Sequence, residues 1–285
     1  MNIMKFRPLF FIISALLLAI SLYSLIVWRF QPSIDFVGGS NYQFTSTITS
    51  ATEFNPIFEA QKVKLYSATK LSSNSWELKF APVSEPQRQA IVTELKKKDA
   101  SLTELQFQTL GPSLGRELLT KTLYAIILSS ILLFLFIGRR FGDITFGAGA
   151  VLAMFHDAII LIGSFSLLGH FFGAELDALF VTALLTTLSS SVHDTIVTFN
   201  RIRELKTKHF NLNWVDLSNR AVSETIVRSI NNSMTIVIML ASLVVLGGEV
   251  TRWFALALLI GVVVGTYSST GVAIPLVLWF KRKKS

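Results

Sequence analysis

Six apolar runs dominate this sequence, at residues 9–28, 119–137, 144–168, 176–199, 233–246 and 253–280. A bilayer core about 30 Å thick needs roughly 20 helical residues to cross it. The runs therefore predict a polytopic α-helical membrane protein with six transmembrane helices. The fifth run is short, and the expected helix starts earlier, near Ile226, which draws Arg228 into or against the membrane. Composition agrees. Hydrophobic residues make up 51% of the chain and charged residues 15%, against about 25% charged in soluble domains. The first run ends in Trp28-Arg29-Phe30-Gln31 without a small-residue cleavage pattern, so it is expected to stay as an uncleaved span.

The net charge of +8 could suggest nucleic acid, but its placement argues for no nucleic-acid partner. Residues 29–117 hold 10 Lys/Arg against 9 Asp/Glu, a net of only +1. The excess lies in short segments beside apolar runs: Lys5 and Arg7, Arg139 and Arg140, residues 201–208, and residues 281–284. That is the pattern of cytoplasmic loops. It places both termini in the cytoplasm and the polar region after the first span outside. The chain has no cysteine, which excludes disulfides and thiolate chemistry. Its histidines, His156, His170, His193 and His209, are too scattered for a metal motif. No nucleophile–base pair has supporting context, so neither a catalytic nor a metal site is expected.

Three regions follow: a cytoplasmic N-terminus with the first span at 1–30, a soluble domain at 31–117, and five spans with a basic tail at 118–285. Within the soluble region, strands are predicted at 41–47, 63–69, 76–81 and 102–110. Helices are predicted at 52–60 and 85–99, with a turn at 72–75. The order βαββαβ is that of a small α+β ferredoxin-like domain.

Ionisable residues inside spans are expensive and commonly face a bundle interior. The third span carries His156-Asp157-Ala158-Ile159 and the fourth His193-Asp194-Thr195-Ile196, 37 residues apart. Asp194 belongs to a polar stripe of Thr187, Ser191, Asp194, Thr198 and Arg201 at helical spacing. Arg228 has Asn232 and Thr235 on its own side, and Asp194 is its obvious anionic partner. From the residues alone, Asp194 and Arg228 are either a structural ion pair pinning two helices or a functional pair. Asp157 is a weaker third candidate, more simply read as structural, and His156 and His193 read as bundle histidines. Ala257, Gly261, Gly265 and Ser269 place a small residue every fourth position for close helix packing, and Gly147, Gly149 and Ala153 do the same in the third span. Asp35-Phe36-Val37-Gly38-Gly39-Ser40 and Gly111-Pro112-Ser113-Leu114-Gly115 flank the soluble region and read as turns.

Those two glycine motifs, the run from Ser191-Val192-His193-Asp194-Thr195-Ile196 through Arg201-Ile202-Arg203-Glu204, and Glu224-Thr225-Ile226-Val227-Arg228-Ser229-Ile230 together resemble the SecF branch of the SecD/SecF family. These are membrane subunits of the bacterial Sec protein-export machinery, within the RND-type superfamily. The resemblance covers essentially the whole chain in order. Departures are small: Val37, Ser40 and Ser229 stand where Thr is common, and Asn200 where Asp is common. The resemblance implies a subunit of the bacterial inner membrane that pairs with a SecD-like chain. It implies use of the proton motive force to assist unfolded polypeptides leaving the SecYEG channel, with YajC associated. Protons would be the coupling ion and no other cofactor is expected. The proton pathway falls on Asp194 and Arg228, and the soluble domain becomes periplasmic. Two rivals remain: a proton-coupled RND-type exporter half-subunit for small molecules or lipids, and a structural subunit whose intramembrane charges fix assembly.

Overall fold

The computed structural model describes residues 2–72 and 74–282. Ser73 of the predicted turn and Lys283 and Lys284 of the basic tail lie outside the described residues. The chain divides into two compact units. One is Pro32–Leu123, and the other joins the first helix to everything from Tyr124 onward.

The smaller unit is a four-stranded sheet with helices over it. Strands β1 (Gly39–Thr45), β2 (Leu65–Ser72), β3 (Ser75–Phe80) and β4 (Thr103–Leu110) lie in the order β2-β3-β1-β4, every neighbouring pair antiparallel. Alternation along β1 and β3 points Tyr42, Phe44, Trp76, Leu78 and Phe80 to one side. There they meet Ile57 and Phe58 of α3 (Asn55–Ala60) and Ile91 and Leu95 of α4 (Glu85–Lys98) to form the core. A one-turn helix, α1 being the first span and α2 this turn (Ile34–Val37), precedes the sheet. At the start of α4, Ser84 and Gln87 form a capping box, with Pro86 in the first turn.

The predicted strand at 63–69 begins two residues later, for a reason found at the end of α3. Lys62 takes a positive φ of 55°, and the Val63 amide donates to the Phe58 carbonyl at 3.0 Å. That is a Schellman-type helix stop, and it uses Val63 before the strand can start. After α4, Asp99 gathers donors from both sides: Ser46 Oγ at 2.6 Å, the Thr47 amide at 2.6 Å and Ser101 Oγ at 2.5 Å. The hydroxyls of Ser101 and Ser46, with the Thr47 amide, hold its carboxyl well below the usual carboxylate range.

The larger unit is helical: α1 (Arg7–Val27), the later part of α5 (Pro112–Phe141), α6 (Ile144–Phe172), α7 (Ala178–Lys208), α8 (Trp214–Leu246) and α9 (Glu249–Ser268). A π turn over Ser269–Ala273 then leads into α10 (Ile274–Arg282). Among the described residues, five stretches are long and apolar enough to cross a membrane: Ile3–Val27, Ser113–Phe141, Ile144–Phe172, Trp214–Leu246 and Thr251–Arg282. The helix α7, which holds the predicted fourth span, is not among them, because its polar stripe lowers its hydropathy. Both α7 and α8 run well past the apolar runs. Asn213 caps α8 by accepting from the Asp216 amide, so the helix starts twelve residues before Ile226.

Polar side chains fasten one end of this unit. Asp143 caps α6 through the Thr145 amide at 2.9 Å and receives Lys281 of α10 on its other oxygen. Burial raises the Asp143 carboxyl, but the hydrogen bonds from Lys281 and Thr145 outweigh it and hold it at about 2. The Lys281 ammonium also lies 3.9 Å from the centre of the Trp214 ring.

Candidate functional site

Asp157 in the helical unit is 4% exposed and bonded on both oxygens. It sits mid-helix on α6, on the face turned to α7 and α9. Ser191 of α7 donates to its Oδ2 at 2.5 Å and Ser268 of α9 donates to the same oxygen at 2.6 Å. On the other oxygen, Oδ1, lies Nδ1 of His156 at 2.9 Å. Three helices are therefore tied through one buried acidic group, in a setting where an unpartnered charge would be very costly. Close approach of α7 and α9 makes this possible. A β-carbon on Gly265 would meet Ser191 Cβ at 2.9 Å, and one on Gly261 would meet Thr187 Cγ2 at 2.4 Å. Ala257 is fully buried, and the small-residue series thus packs against the polar stripe of α7. The fourth member of the series, Ser269, has entered the π turn, where its hydroxyl bonds the Thr266 carbonyl at 2.9 Å. In α6, Gly149 serves α10 in the same way, its β-carbon position lying 2.6 Å from Val277 Cγ2.

Asp194 has a different setting. It is 9% exposed, and among the described residues its carboxylate accepts no hydrogen bond and makes no ion pair. The expected direct pairing with Arg228 is not formed. The Arg228 charge acts on Asp194 from beyond contact distance, and the Arg228 side chain is exposed on α8 with Asn232 and Thr235. The physical reason is the register of α7 against α8. Thr198 faces Thr225, with their hydroxyls 3.4 Å apart, and this puts Arg228 beside a groove and away from the Asp194 carboxyl. The groove, of about 570 Å³, is lined by Val197, Asn200, Arg201, Glu204, Glu224 and Arg228. Its charges are largely paired: Arg201 donates to Glu224 at 2.5 Å and to Glu204 at 2.6 Å, and Arg220 reaches Glu224 at 3.1 Å. The stripe predicted from sequence therefore exists but serves three neighbours. Thr187 faces α9, Ser191 joins α6 to α9, and Thr198 and Arg201 face α8.

The two glycine motifs meet within the smaller unit. Gly38 has a φ of 79°, a conformation that favours glycine. A β-carbon on Gly115 would lie 2.5 Å from the Phe36 carbonyl oxygen. Gly39 pairs with Leu110, just before Gly111. The second motif departs from the expected turn: Pro112 and Gly115 belong to the first turns of α5, and Asp35 lies in the α2 turn. Gly115 is thus a point of close packing, where the chain leaving the sheet touches the chain entering it. Of the predicted bundle histidines, His156 is buried with its Nε2 unpartnered, whereas His193 is exposed.

Sequence reasoning missed Ser268. It lies three residues after Gly265 on the same face of α9, and a count of every fourth residue passes over it for Ser269. Tyr267 was missed too. Its hydroxyl lies 2.7 Å from the Phe10 carbonyl and 3.0 Å from Ser14 Oγ, tying α9 to α1.

Apolar helices of spanning length around a hydroxyl-bonded intramembrane carboxyl define a multi-pass helical membrane protein with a polar bundle interior. Residues 90–283 match the family described as protein export membrane protein SecD/SecF, C-terminal. The chain is 33% identical to the protein translocase subunit SecF of Thermobaculum terrenum, over 98% of this chain and 93% of that protein. It is 32% identical to the protein translocase subunit SecDF of Thermus thermophilus, over 98% of this chain and 38% of that longer protein. The crystal structure of SecDF from Thermus thermophilus, described as a translocon-associated membrane protein, superposes with a TM-score of 0.86 at 31% identity, covering 99% of this chain and 39% of that one. The chain belongs to the SecD/SecF family of protein-export membrane proteins, in its SecF branch.

Proposed function

We propose that this chain is the SecF-type half of a proton-driven translocase unit of the bacterial inner membrane. In it, Asp194 exchanges protons under the control of Arg228. The observation that carries this reading is the contrast between the two intramembrane carboxyls. Asp157 has a hydrogen-bond partner on each oxygen. Asp194 is buried without a hydrogen bond, one helical turn from a polar groove that holds Arg228. A carboxylate with free lone pairs one turn from a polar groove can exchange a proton with water directly. The cation one helix away changes the energy of doing so without locking it. One charge moving across 100 mV supplies about 2.3 kcal/mol. Asp157 stands beside this path as a further proton-pathway residue.

In the same reading α7 also crosses the membrane, as the fourth of six spans. Its 31 residues extend about 46 Å, more than a bilayer core requires. The smaller unit is a ferredoxin-like periplasmic domain at 31–117, a reading supported by its strand order and its helices between β1 and β2 and between β3 and β4. Both termini are cytoplasmic. The exposed polar side chains of α8 (Arg228, Asn232 and Thr235) and of α7 (Ser189 and His193) cannot rest against lipid at low cost, and a SecD-like chain covers them. That a SecDF relative carries this chain's counterpart within a longer polypeptide supports such a partner. SecYEG, YajC and the emerging unfolded polypeptide complete the assembly, with protons as the only coupling ligand.

The test is export driven by the proton motive force in membrane vesicles containing the chain and its partner. Asp194→Asn and Arg228→Ala should each abolish the potential-dependent part of export while leaving the complex assembled. Full potential-dependent export by Asp194→Asn refutes the reading.

A further inference from the structure

The bonds around Asp157 converge on the one irregular turn of the last span. Ser268 ends α9, and the π turn Ser269–Ala273 follows at once. Such turns hold a helix away from its lowest-energy hydrogen bonding and recur where helices change shape. The Ser268 hydroxyl has one hydrogen and three oxygens within reach of it. These are Asp157 Oδ2 at 2.6 Å, the Gly265 carbonyl, inside its own helix, at 3.2 Å, and Ser191 Oγ, the longest, at 3.4 Å. Which acceptor it serves depends on how strongly Asp157 attracts it. On the far side of the carboxyl, His156 Nδ1 meets Oδ1, while Nε2 is buried and has no partner.

We propose that His156 and Asp157 together form a second proton-binding site in the helical unit, and that Ser268 is the positioning residue that carries its charge state to the π turn. With Asp157 ionised, Oδ2 accepts from Ser191 and Ser268 and Oδ1 accepts from His156 Nδ1. A proton arriving at His156 Nε2 releases the Nδ1 proton to Asp157 Oδ1. One proton is gained in all, the imidazole is neutral in its other tautomer, and the carboxyl is neutral. The bonds from Ser191 and Ser268 then change from charge-assisted to neutral, which roughly halves their strength. Ser191 is fixed mid-helix in α7. Ser268 instead turns to Gly265 and releases α6 from the π turn. Few other titratable groups surround the pair. On α7, Asp194 lies one turn beyond Ser191 and His193 is exposed. On α9, Tyr267 is engaged with α1. On α10, Lys281 is engaged with Asp143. After Arg7 and before Tyr23, α1 contributes no titratable side chain.

This proposal rests on the proton-driven reading above, and its test separates the two. The full chain is reconstituted in lipid nanodiscs. Infrared difference spectra across pH report carboxyl protonation, and hydrogen exchange reports the amides of residues 269–273. The wild type should show a carboxyl band that titrates and, after correction for intrinsic exchange, about fivefold faster exchange of the π turn in the protonated state. Asp157→Asn should remove its own component of the band, leaving that of Asp194, and abolish the pH dependence of π-turn exchange. His156→Gln keeps an N–H donor but cannot relay, and should abolish the titration of the Asp157 component while the chain stays folded. Ser268→Ala should keep the band and lose the pH dependence of exchange, and Ser268→Thr should restore it. A titrating band left unchanged by Asp157→Asn, or π-turn exchange whose pH dependence is unchanged in Ser268→Ala, overturns the proposal. Asp194→Asn should leave the Asp157 component and the π-turn response in place. Signals lost in Asp194→Asn but kept in Asp157→Asn overturn the second site while leaving the Asp194 reading intact.

Discussion

Gly261→Ala tests how closely α7 and α9 approach. The added β-carbon would lie 2.4 Å from Thr187 Cγ2, 2.5 Å from its Cβ and 2.7 Å from its Oγ1. Carbon pairs rest at about 3.5–4.0 Å, so the overlap is about 1 Å. Thr187 cannot swing aside. It is buried, its β-branched side chain is stiff, and its hydroxyl is bonded to the Leu184 carbonyl at 2.9 Å. Its Cβ would clash in any rotamer. The helices must therefore part, and a gap of about 0.5–1 Å forfeits a quarter to a half of each contact they share. Overpacking of this kind costs about 1–3 kcal/mol, which shifts the unfolding equilibrium about 5- to 150-fold. Alanine is the better helix former by about 1 kcal/mol in soluble hosts, so propensity alone predicts the opposite sign. Thermal unfolding of the purified chain in nanodiscs, followed by tryptophan fluorescence, decides between them. Gly138→Ala is the control, because its β-carbon would meet only Ile144 Cα at 3.7 Å. Thr187→Gly in the Gly261→Ala background should recover part of the loss. If Gly261→Ala unfolds at or above the wild-type temperature while Gly138→Ala behaves alike, the close packing is refuted.

Two further outcomes concern acid stability. Asp143 is held at about 2, below the ordinary value of about 3.9. Its contribution is therefore complete above about pH 4 and disappears as pH falls toward 2. Asp143→Asn should lower the unfolding temperature at neutral pH and flatten its fall over that window, read by the same fluorescence assay. Asp99 is also depressed by its hydroxyl and amide donors, so its support is present at neutral pH and lost on acidification. Asp99→Asn should accelerate hydrogen exchange at Ser46, Thr47 and Ser101 at neutral pH and leave exchange there unchanged in strong acid.

What the sequence determined by itself is the membrane character of the chain, the polar region after the first span and the two intramembrane aspartates. The reason is that lipid admits only long apolar helices, so both the spans and the exceptions within them show in a one-dimensional reading. Close packing at Gly261 and Gly265 was legible for a similar reason, since spacing of four residues keeps one face of a helix. Spacing could not tell the two aspartates apart. Asp157 and Asp194 sit in near-identical local sequences, and only the packing of α6 against α7 and α9 brings two hydroxyl donors to one of them. The tertiary structure also decided against a direct Asp194–Arg228 pair, because helix register is set by contacts such as Thr198 to Thr225. It alone brought in Ser268, which lies three residues after Gly265 and which a count of every fourth residue passes over for Ser269. The chain thus records which residues are out of place in a membrane, while the fold assigns each of them its partner.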